Sequence, residues 1–358
     1  MIPSEALRLI LEKAILAPSA DNLQPWKFCF EQDFVDVFLD RQRLANFCDE
    51  ALLMPYLSAG AVIENMRVAA TRVGYRTIPT YLPEPENAYW VARLEFEAGV
   101  KKCDERFRAL GERVTNRKFF SRKKELSGSL YGRLGNIAKM ESGFKLLFIK
   151  GNETGYRELV ALIGKADELR FESKRLHEEL MGLMRFNAKD AERTRDGLDA
   201  RTLEAGPAGT MMFRSIRSWK MLSCLNALGM SKLFNRYARM QMDSSQAAGL
   251  LVAPSQKPQD YIRGGELVQR IWHQLTMEGV ALQPMDALPI FILNLQQNGG
   301  KDFTEAQKKV LFDLKARFFP LFHITDQNGL LFLFRLGYAE PPRYRSFRRR
   351  LDSFIMAT

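Results

Sequence analysis

Metal-binding and disulfide-forming residues are sparse in this chain. It has four cysteines (Cys29, Cys48, Cys103, Cys224) with no CxxC pair, and three isolated histidines (His177, His273, His323). Zinc sites and disulfide frameworks need such residues clustered or paired at fixed spacing, so neither is supported. There is also no run of about 18 uninterrupted apolar residues, the minimum for a membrane-spanning helix. The start, Met1 to Pro18, carries Glu5 and Glu12 inside its apolar pattern and does not read as a signal peptide. Reduced thiols and no export signal lead to the expectation of a cytoplasmic protein.

What is present is a globular composition. Of 358 residues, 46% are apolar and 27% charged, and that length allows two domains or one large one. The net charge of +11, from 53 basic and 42 acidic residues, has two readings. One is an ordinary solvated surface; the other is a field that attracts phosphates, nucleic acids or anionic membranes.

Along the chain, residues 4 to 16 predict a helix, with Leu7, Ile10, Leu11, Ala14 and Ile15 on one face and Ser4 as its cap after Pro3. Strands are expected at 26–30 and 35–39, paired with each other, and at 90–96. A second helix over about 51–73 closes at Gly74. The stretch 97–125 is charged and turn-poor. Beyond it the pattern predicts a helix near 125–140, a strand at 144–149, helical character over 153–185, and a long basic insertion over 186–248. It then continues with strand 249–253, helix 263–278, strand 290–295, helix 303–318 and strand 330–336, before a tail rich in proline and arginine.

An internal repeat is visible. Gly60 to Arg67 aligns with Gly265 to Trp272, Thr71 with Thr276, and Gly74 with Gly279, all at one constant offset. Each copy is a core helix closed by glycine and followed by a β segment. Two similar α+β units packed as a pseudo-symmetric pair are therefore expected.

The loop after the first helix concentrates short hydrogen-bonding side chains, Ser19, Asp21, Asn22 and Gln24, between Pro18 and Pro25 and in front of Trp26. Two prolines make such a loop rigid, which suits the edge of a planar heterocycle, since little freedom is left for binding to freeze. By themselves these residues favour a plain turn into a strand. Similarly, Arg113-Val114-Thr115-Asn116-Arg117-Lys118-Phe119 alone reads as a solvated charge run, and Arg343 to Leu351 as a solvated or nucleic-acid-binding tail.

Ala14 to Trp26, with its order Ala17-Pro18-Ser19-Ala20-Asp21-Asn22-Leu23-Gln24-Pro25-Trp26, resembles the signature of the nitroreductase family. That resemblance implies an α+β, nitroreductase-like three-layer fold and FMN contacts from Ser19, Ala20 and Asn22, with Gln24 a further candidate. Arg113, Thr115 and Arg117 resemble the family's R-x-S-x-R-x-F start, which holds the FMN phosphate; arginine forks match phosphate oxygens in pairs. Here that motif lies where a second unit begins. Pro284, Met285, Asp286 and Ala287 resemble the family turn that aims backbone N–H groups at the flavin, although an ordinary helix-to-strand turn is the alternative. Arg348 and Arg349 match the basic residues that complete the phosphate clamp.

Taken together, the resemblance implies two units, 1–110 and 111–358, fused as an intramolecular pseudodimer with one composite site, and hence a monomer. The expected function is that of an FMN-dependent oxidoreductase passing hydride from NAD(P)H through flavin N5 to an electron-poor small molecule, a nitroaromatic or quinone. No nucleic-acid partner is expected. The alternatives are a flavin-sequestering protein and, in another class, a basic nucleic-acid- or membrane-surface-binding protein. Within the insertion, basic and apolar residues interleave over 211–240 as two amphipathic helices broken near Gly229. They have three readings: a lid over the flavin, a further core element, or a membrane-surface or partner helix.

Overall fold

A computed structural model describes residues 2–31, 33–44, 49–102 and 104–356, so Cys48 and Cys103 lie outside the described residues. The first part of the chain comprises α1 (Ser4–Ala14), β1 (Trp26–Phe30), β2 (Phe34–Leu39), α2 (Leu53–Val73), β3 (Tyr75–Tyr81), β4 (Trp90–Ala98) and α3 (Arg106–Glu112). Its strands form an antiparallel sheet of order β1-β2-β4-β3. The expected hairpin is present, with Trp26 opposite Leu39. Pro3, not Ser4, is the N-cap of α1, and no side chain caps that end; proline's fixed φ suits the entry to a helix, and Ser4 becomes its first helical residue. The turn-poor stretch 97–125 contains α3, a helix the sequence reading did not anticipate.

The rest of the chain contributes α4 (Gly128–Ala138), β5 (Lys145–Lys150), α5 (Thr154–Glu172), α6 (Lys174–Leu183), β6 (Met184–Arg185), α7 (Ala188–Thr194), β7 (Leu198–Asp199), α8 (Gly206–Ser215), α9 (Trp219–Ala227) and α10 (Met230–Asp243). There follow β8 (Ala247–Ala253), α11 (Pro258–Met277), β9 (Ala281–Pro284), α12 (Ala287–Asn298), α13 (Glu305–Phe322) and β10 (Gly329–Gly337). A second antiparallel sheet has the order β5-β8-β10-β9, while β6 and β7 make a small parallel pair. The β segments expected after the two glycine-closed helices are β3 and β9. Gly229, at φ 93°, breaks α9 from α10 where the insertion was expected to break.

Residues 290–295 are the clearest departure. Ile290 to Leu295 was expected as a strand and lies inside α12, closed by Gly299 at φ 62°. Leu288, Phe291, Ile292, Leu293 and Leu295 are all buried. A helix covered on most sides loses its polar face and reads as an uninterrupted apolar run, which periodicity cannot tell from a buried strand.

The two halves share one hydrophobic core, which runs from Ile10 and Trp26 through α2 and α11 to Phe334 and Phe354. At its centre α2 and α11 touch backbone to backbone. A Cβ on Gly60 would lie 2.0 Å from Ile262 O, and one on Gly265 would lie 2.1 Å from Leu57 O. Only glycine permits that approach. A buried charge network flanks the crossing: Arg270 binds Glu64 at 2.8 Å and Glu266 at 2.9 Å, and Arg67 binds Glu266 at 2.8 Å. The C-terminal tail returns to the first sheet, pairing Ile355 with Phe28 and stacking Phe354 on Trp26. Among the described residues no helix is long and apolar enough to cross a membrane.

Candidate functional site

The loop after α1 is held by its own polar groups. Gln24 N–H donates to Ser19 Oγ at 2.9 Å, and Asp21, Asn22 and Gln24 all take positive φ (45°, 57° and 54°). Three non-glycine residues in the left-handed region within four positions is costly backbone, kept only where surrounding contacts over-determine it. Those contacts come from far along the chain. Asn22 Nδ2 donates to Phe347 O (3.1 Å) and its Oδ1 accepts from Arg348 (2.8 Å). Gln24 Nε2 donates to Arg195 O (2.9 Å), and its Oε1 accepts from Arg349 N–H (2.9 Å). The tail and the insertion therefore clamp the loop.

Two adjoining chambers open beside it and share Pro18, Ser19, Asp21, Thr115, Arg117 and Leu198 in their walls. The smaller, of about 150 Å³, is lined by four arginines, Arg113, Arg117, Arg345 and Arg348, against one carboxylate, Asp21. Their hydrogen bonds go chiefly to main-chain carbonyls. Arg113 and Arg348 each donate to Leu16 O at 3.3 Å, Arg117 to Thr202 O at 3.3 Å, and Arg345 to Gly111 O at 2.7 Å. The buried Nε atoms of Arg113 and Arg348 have no partner. Burial pushes the pKa of Arg113 well down, helped by repulsion from Arg348 and Arg345, and pushes Arg348 down to about 10. These directions express the same fact, since desolvated positive charge has gathered where the lining offers one carboxylate, Asp21, to four arginines.

The larger chamber, of about 350 Å³, has an apolar floor from α2 and α11, with Leu57 and Ala61 facing Val268 and Trp272. Its side wall is Pro284, Asp286 and Ala287, the turn from β9 into α12. Asp286 is the N-cap position of α12, so the first N–H groups of that helix, which lack intrahelical acceptors, start at the cavity wall. Asp286 Oδ1 accepts from Leu333 N–H at 2.7 Å. The group is partly exposed at the cavity wall, and desolvation by the surrounding protein raises its pKa to about 8 despite that hydrogen bond. The opposite wall comes from α5 and the insertion, through Asp167, Arg170, Phe171, Phe213, Phe234 and Tyr237. Phe171 and Phe234 stack with centroids 3.6 Å apart. The insertion thus supplies part of one cavity wall, and its inner residues also form a small core of their own.

Of the residues singled out from sequence, Ser19, Ala20, Asn22, Arg113, Thr115, Arg117, Pro284, Asp286, Ala287 and Arg348 all line one or both chambers. Three do not. Gln24 is fully buried and spends its amide on Asn22, Arg195 and Arg349. Arg349 packs over the Phe354 ring at 4.2 Å and donates to Gln24 O. Met285 points into the core of the second sheet. Residues the sequence reading missed include Arg345, which lay within the quoted basic tail, and Arg335. The latter is fully buried on β10 and holds Gln283 Oε1 (2.8 Å), Gln241 O (2.9 Å) and Lys118 O (2.6 Å). One charge in the run Leu330-Leu331-Phe332-Leu333-Phe334-Arg335-Leu336 is the signal that could have found it. Asp167 and Arg170 left none, because only the packing of α5 brings them to the cavity.

Asp286 carries a pH prediction. Its folded pKa, near 8, exceeds the unfolded value, about 3.9, so the folded state holds a proton that the unfolded state has lost between those limits. The contribution of Asp286 to stability therefore falls as pH rises from about 4 to about 8. Asp286→Asn keeps the acceptor for Leu333 N–H and removes the titration. Asp49, raised to about 7, and His273, lowered to about 3, also titrate differently in the folded and unfolded states, so the difference between the two chains is the readout. In urea unfolding across pH 5 to 8 the unsubstituted chain is expected to lose stability relative to the variant with a slope of up to one proton, and parallel curves would contradict it.

No family model matches the chain. It is 24% identical over 351 residues to an uncharacterized Mycobacterium tuberculosis protein, MT1398, covering 97% of this chain and 48% of that one. It is 29% identical over 96 residues to the M. tuberculosis "Putative NAD(P)H nitroreductase acg", covering 27% of this chain and 29% of that protein. The chain thus spans less than half the length of these relatives. Among solved structures, the FMN and NADPH-dependent nitroreductase NfnB from sphigopyxis sp. strain HMH aligns at a TM-score of 0.39 and 14% identity, over 71% of this chain and 98% of that one. In sequence, over the stretch shared with acg, the chain is nitroreductase-like.

Proposed function

We propose that the chain binds FMN, with its phosphate among Arg113, Arg117, Arg345 and Arg348 and its ring system in the adjoining chamber, and that it acts as an NAD(P)H-dependent oxidoreductase. The observation that carries this is the pair of arginines, Arg113 and Arg348, whose buried Nε atoms have no partner. Arginine forks and the hydroxyls of Ser19 and Thr115 are the donor set a phosphate dianion takes, so the residues present fit the group. The floor of Leu57, Ala61, Val268 and Trp272 offers the apolar surface a planar ring needs. When bound, FMN supplies the redox chemistry, accepting hydride from a reduced nicotinamide and passing electrons to an electron-poor acceptor such as a nitroaromatic or quinone.

The chain's own residues orient, exclude water and hold protons. The N-terminus of α12, behind Asp286 and Ala287, favours negative charge developing in the chamber. Asp286, neutral below about pH 8, holds a proton at the cavity wall. The aromatic wall from the insertion keeps water out. In this reading the chain is two units, 1–110 and 111–358, fused as a pseudodimer and monomeric in solution. The two four-stranded sheets and the paired glycines at the helix crossing support it. Cys29 and Cys224, both free, suit the cytoplasm.

A second reading, flavin sequestration without turnover, is favoured by one observation: Phe213, Phe234 and Tyr237 cover the chamber from the insertion side. Anaerobic titration separates the two. The purified protein is expected to be yellow, to release FMN on denaturation, and to bleach with stoichiometric NADH or NADPH. Bound flavin that neither nucleotide reduces would sink the oxidoreductase reading and leave sequestration; a colourless protein that takes up no FMN would end both.

A further inference from the structure

The insertion has an outer face that the cavity does not explain. From Ala205 to Met242 the chain has no aspartate or glutamate, but six basic residues: Arg214, Arg217, Lys220, Lys232, Arg236 and Arg239. The same stretch exposes large apolar side chains: Met211 (69%), Met221 (50%), Leu228 (86%), Leu233 (48%) and Met240 (49%). On α10, Leu233 and Met240 recur at i and i+7 and so share a stripe, with Lys232, Arg236 and Arg239 alongside. Phe234, Ala238 and Met242, on the other side of α10, are buried. On α9, Leu222 is buried, while Lys220 and Met221 join Arg214 and Arg217 around one open surface groove.

We propose that the outer face of α8, α9 and α10 docks on an anionic lipid surface. The pattern is that of a helix lying in the interface plane: methionine and leucine enter the boundary between headgroups and acyl chains, and lysine and arginine reach back to the phosphates. With no acid in the segment, its own charges all carry one sign, complementary to an anionic leaflet. Its apolar residues are flexible and spread along three helices, not gathered as aromatic anchors in a pocket, which fits a fluid surface better than a folded protein partner. Since α10 also sends Phe234 and Tyr237 to the chamber, docking brings the leaflet to within one helix diameter, about 10–12 Å, of the cavity. That position suits delivery of a lipid-soluble acceptor; the delivery step rests on the oxidoreductase reading, the docking does not.

The test is co-sedimentation of the full chain with phosphatidylcholine vesicles, with and without phosphatidylglycerol. Binding is expected only with the anionic lipid, and it should weaken as salt is raised. Each of Lys220→Gln, Lys232→Gln and Arg236→Gln is expected to lower partitioning about fivefold. Met221→Ser with Leu228→Ser should lower it while leaving the fold unchanged, because both side chains are at least half exposed. Circular dichroism and flavin content check the fold. No binding to anionic vesicles at low salt overturns the proposal, as does binding that none of these variants affects. Equally tight binding to soluble polyglutamate would point to an acidic protein partner and overturn it too.

Discussion

Arg113→Met is expected to lower FMN affinity about a hundredfold while leaving the ligand-free protein as stable as before, or more so. The two halves of that result have separate causes. A guanidinium bound to a phosphate in a buried site makes charge-assisted hydrogen bonds of about 1.5–3 kcal/mol each, and the loss of one or two gives about two orders of magnitude. In the ligand-free chain Arg113 is 8% exposed, donates to Leu16 O at 3.3 Å and lies over the Trp272 ring at 4.6 Å. Against those contacts stand its own desolvation and its repulsion by Arg348 and Arg345. Methionine fills similar space without the charge, and replacing buried charge by a packed apolar side chain is often neutral or stabilising. Fluorescence titration of apoprotein with FMN, beside a thermal melt, reads both quantities. Riboflavin, which has no phosphate, should bind the variant as it binds the unsubstituted protein. A large drop in melting temperature with unchanged FMN affinity would make Arg113 a structural residue and remove the phosphate site from the proposal.

Arg348→Met would be a poorer probe. Its guanidinium holds Asn22 Oδ1 at 2.8 Å and Phe347 O at 3.1 Å as well as facing the chamber, so loop geometry and phosphate binding would be lost together. Contiguous segments could be read: Ser19 to Asn22, and Arg113 with Thr115 and Arg117, reach the chambers because a short rigid stretch carries them together. Direction could not. Gln24 and Arg349 have the right identities, yet they point at each other, because the tail's return to the first sheet pairs them. Residues 290–295 failed for a different reason, since deep burial erased the polar face that marks a helix. Asp167, Arg170 and Trp272 reach the cavity only through long-range packing, for which a single sequence has no local sign.

The constant offset, by contrast, marked two glycines whose meeting has large consequences. Gly60 and Gly265 share the constant offset and meet at the crossing of α2 and α11. Gly265→Ala would place a Cβ 2.1 Å from Leu57 O and 2.8 Å from Leu57 Cα. Those are backbone atoms, so no rotamer change relieves the clash and the helices must separate. Overpacking a core typically costs about 1–3 kcal/mol when side chains can adjust; here about 3 kcal/mol or more is expected, a large share of the roughly 5–15 kcal/mol that holds a domain together. Gly132→Ala is the control, because nothing lies within 4 Å of its added methyl group on α4, and it should stabilise by up to about 1 kcal/mol. Urea unfolding of the two variants tests the crossing, and equal midpoints would show that the helices tolerate separation. The outcome also bears on the cavity, whose floor is Leu57 and Ala61 from one helix and Val268 and Trp272 from the other. Forcing α2 from α11 is expected to remove FMN binding and stability together, whereas Arg113→Met removes the first and spares the second. A composite site built across two helices requires that divergence.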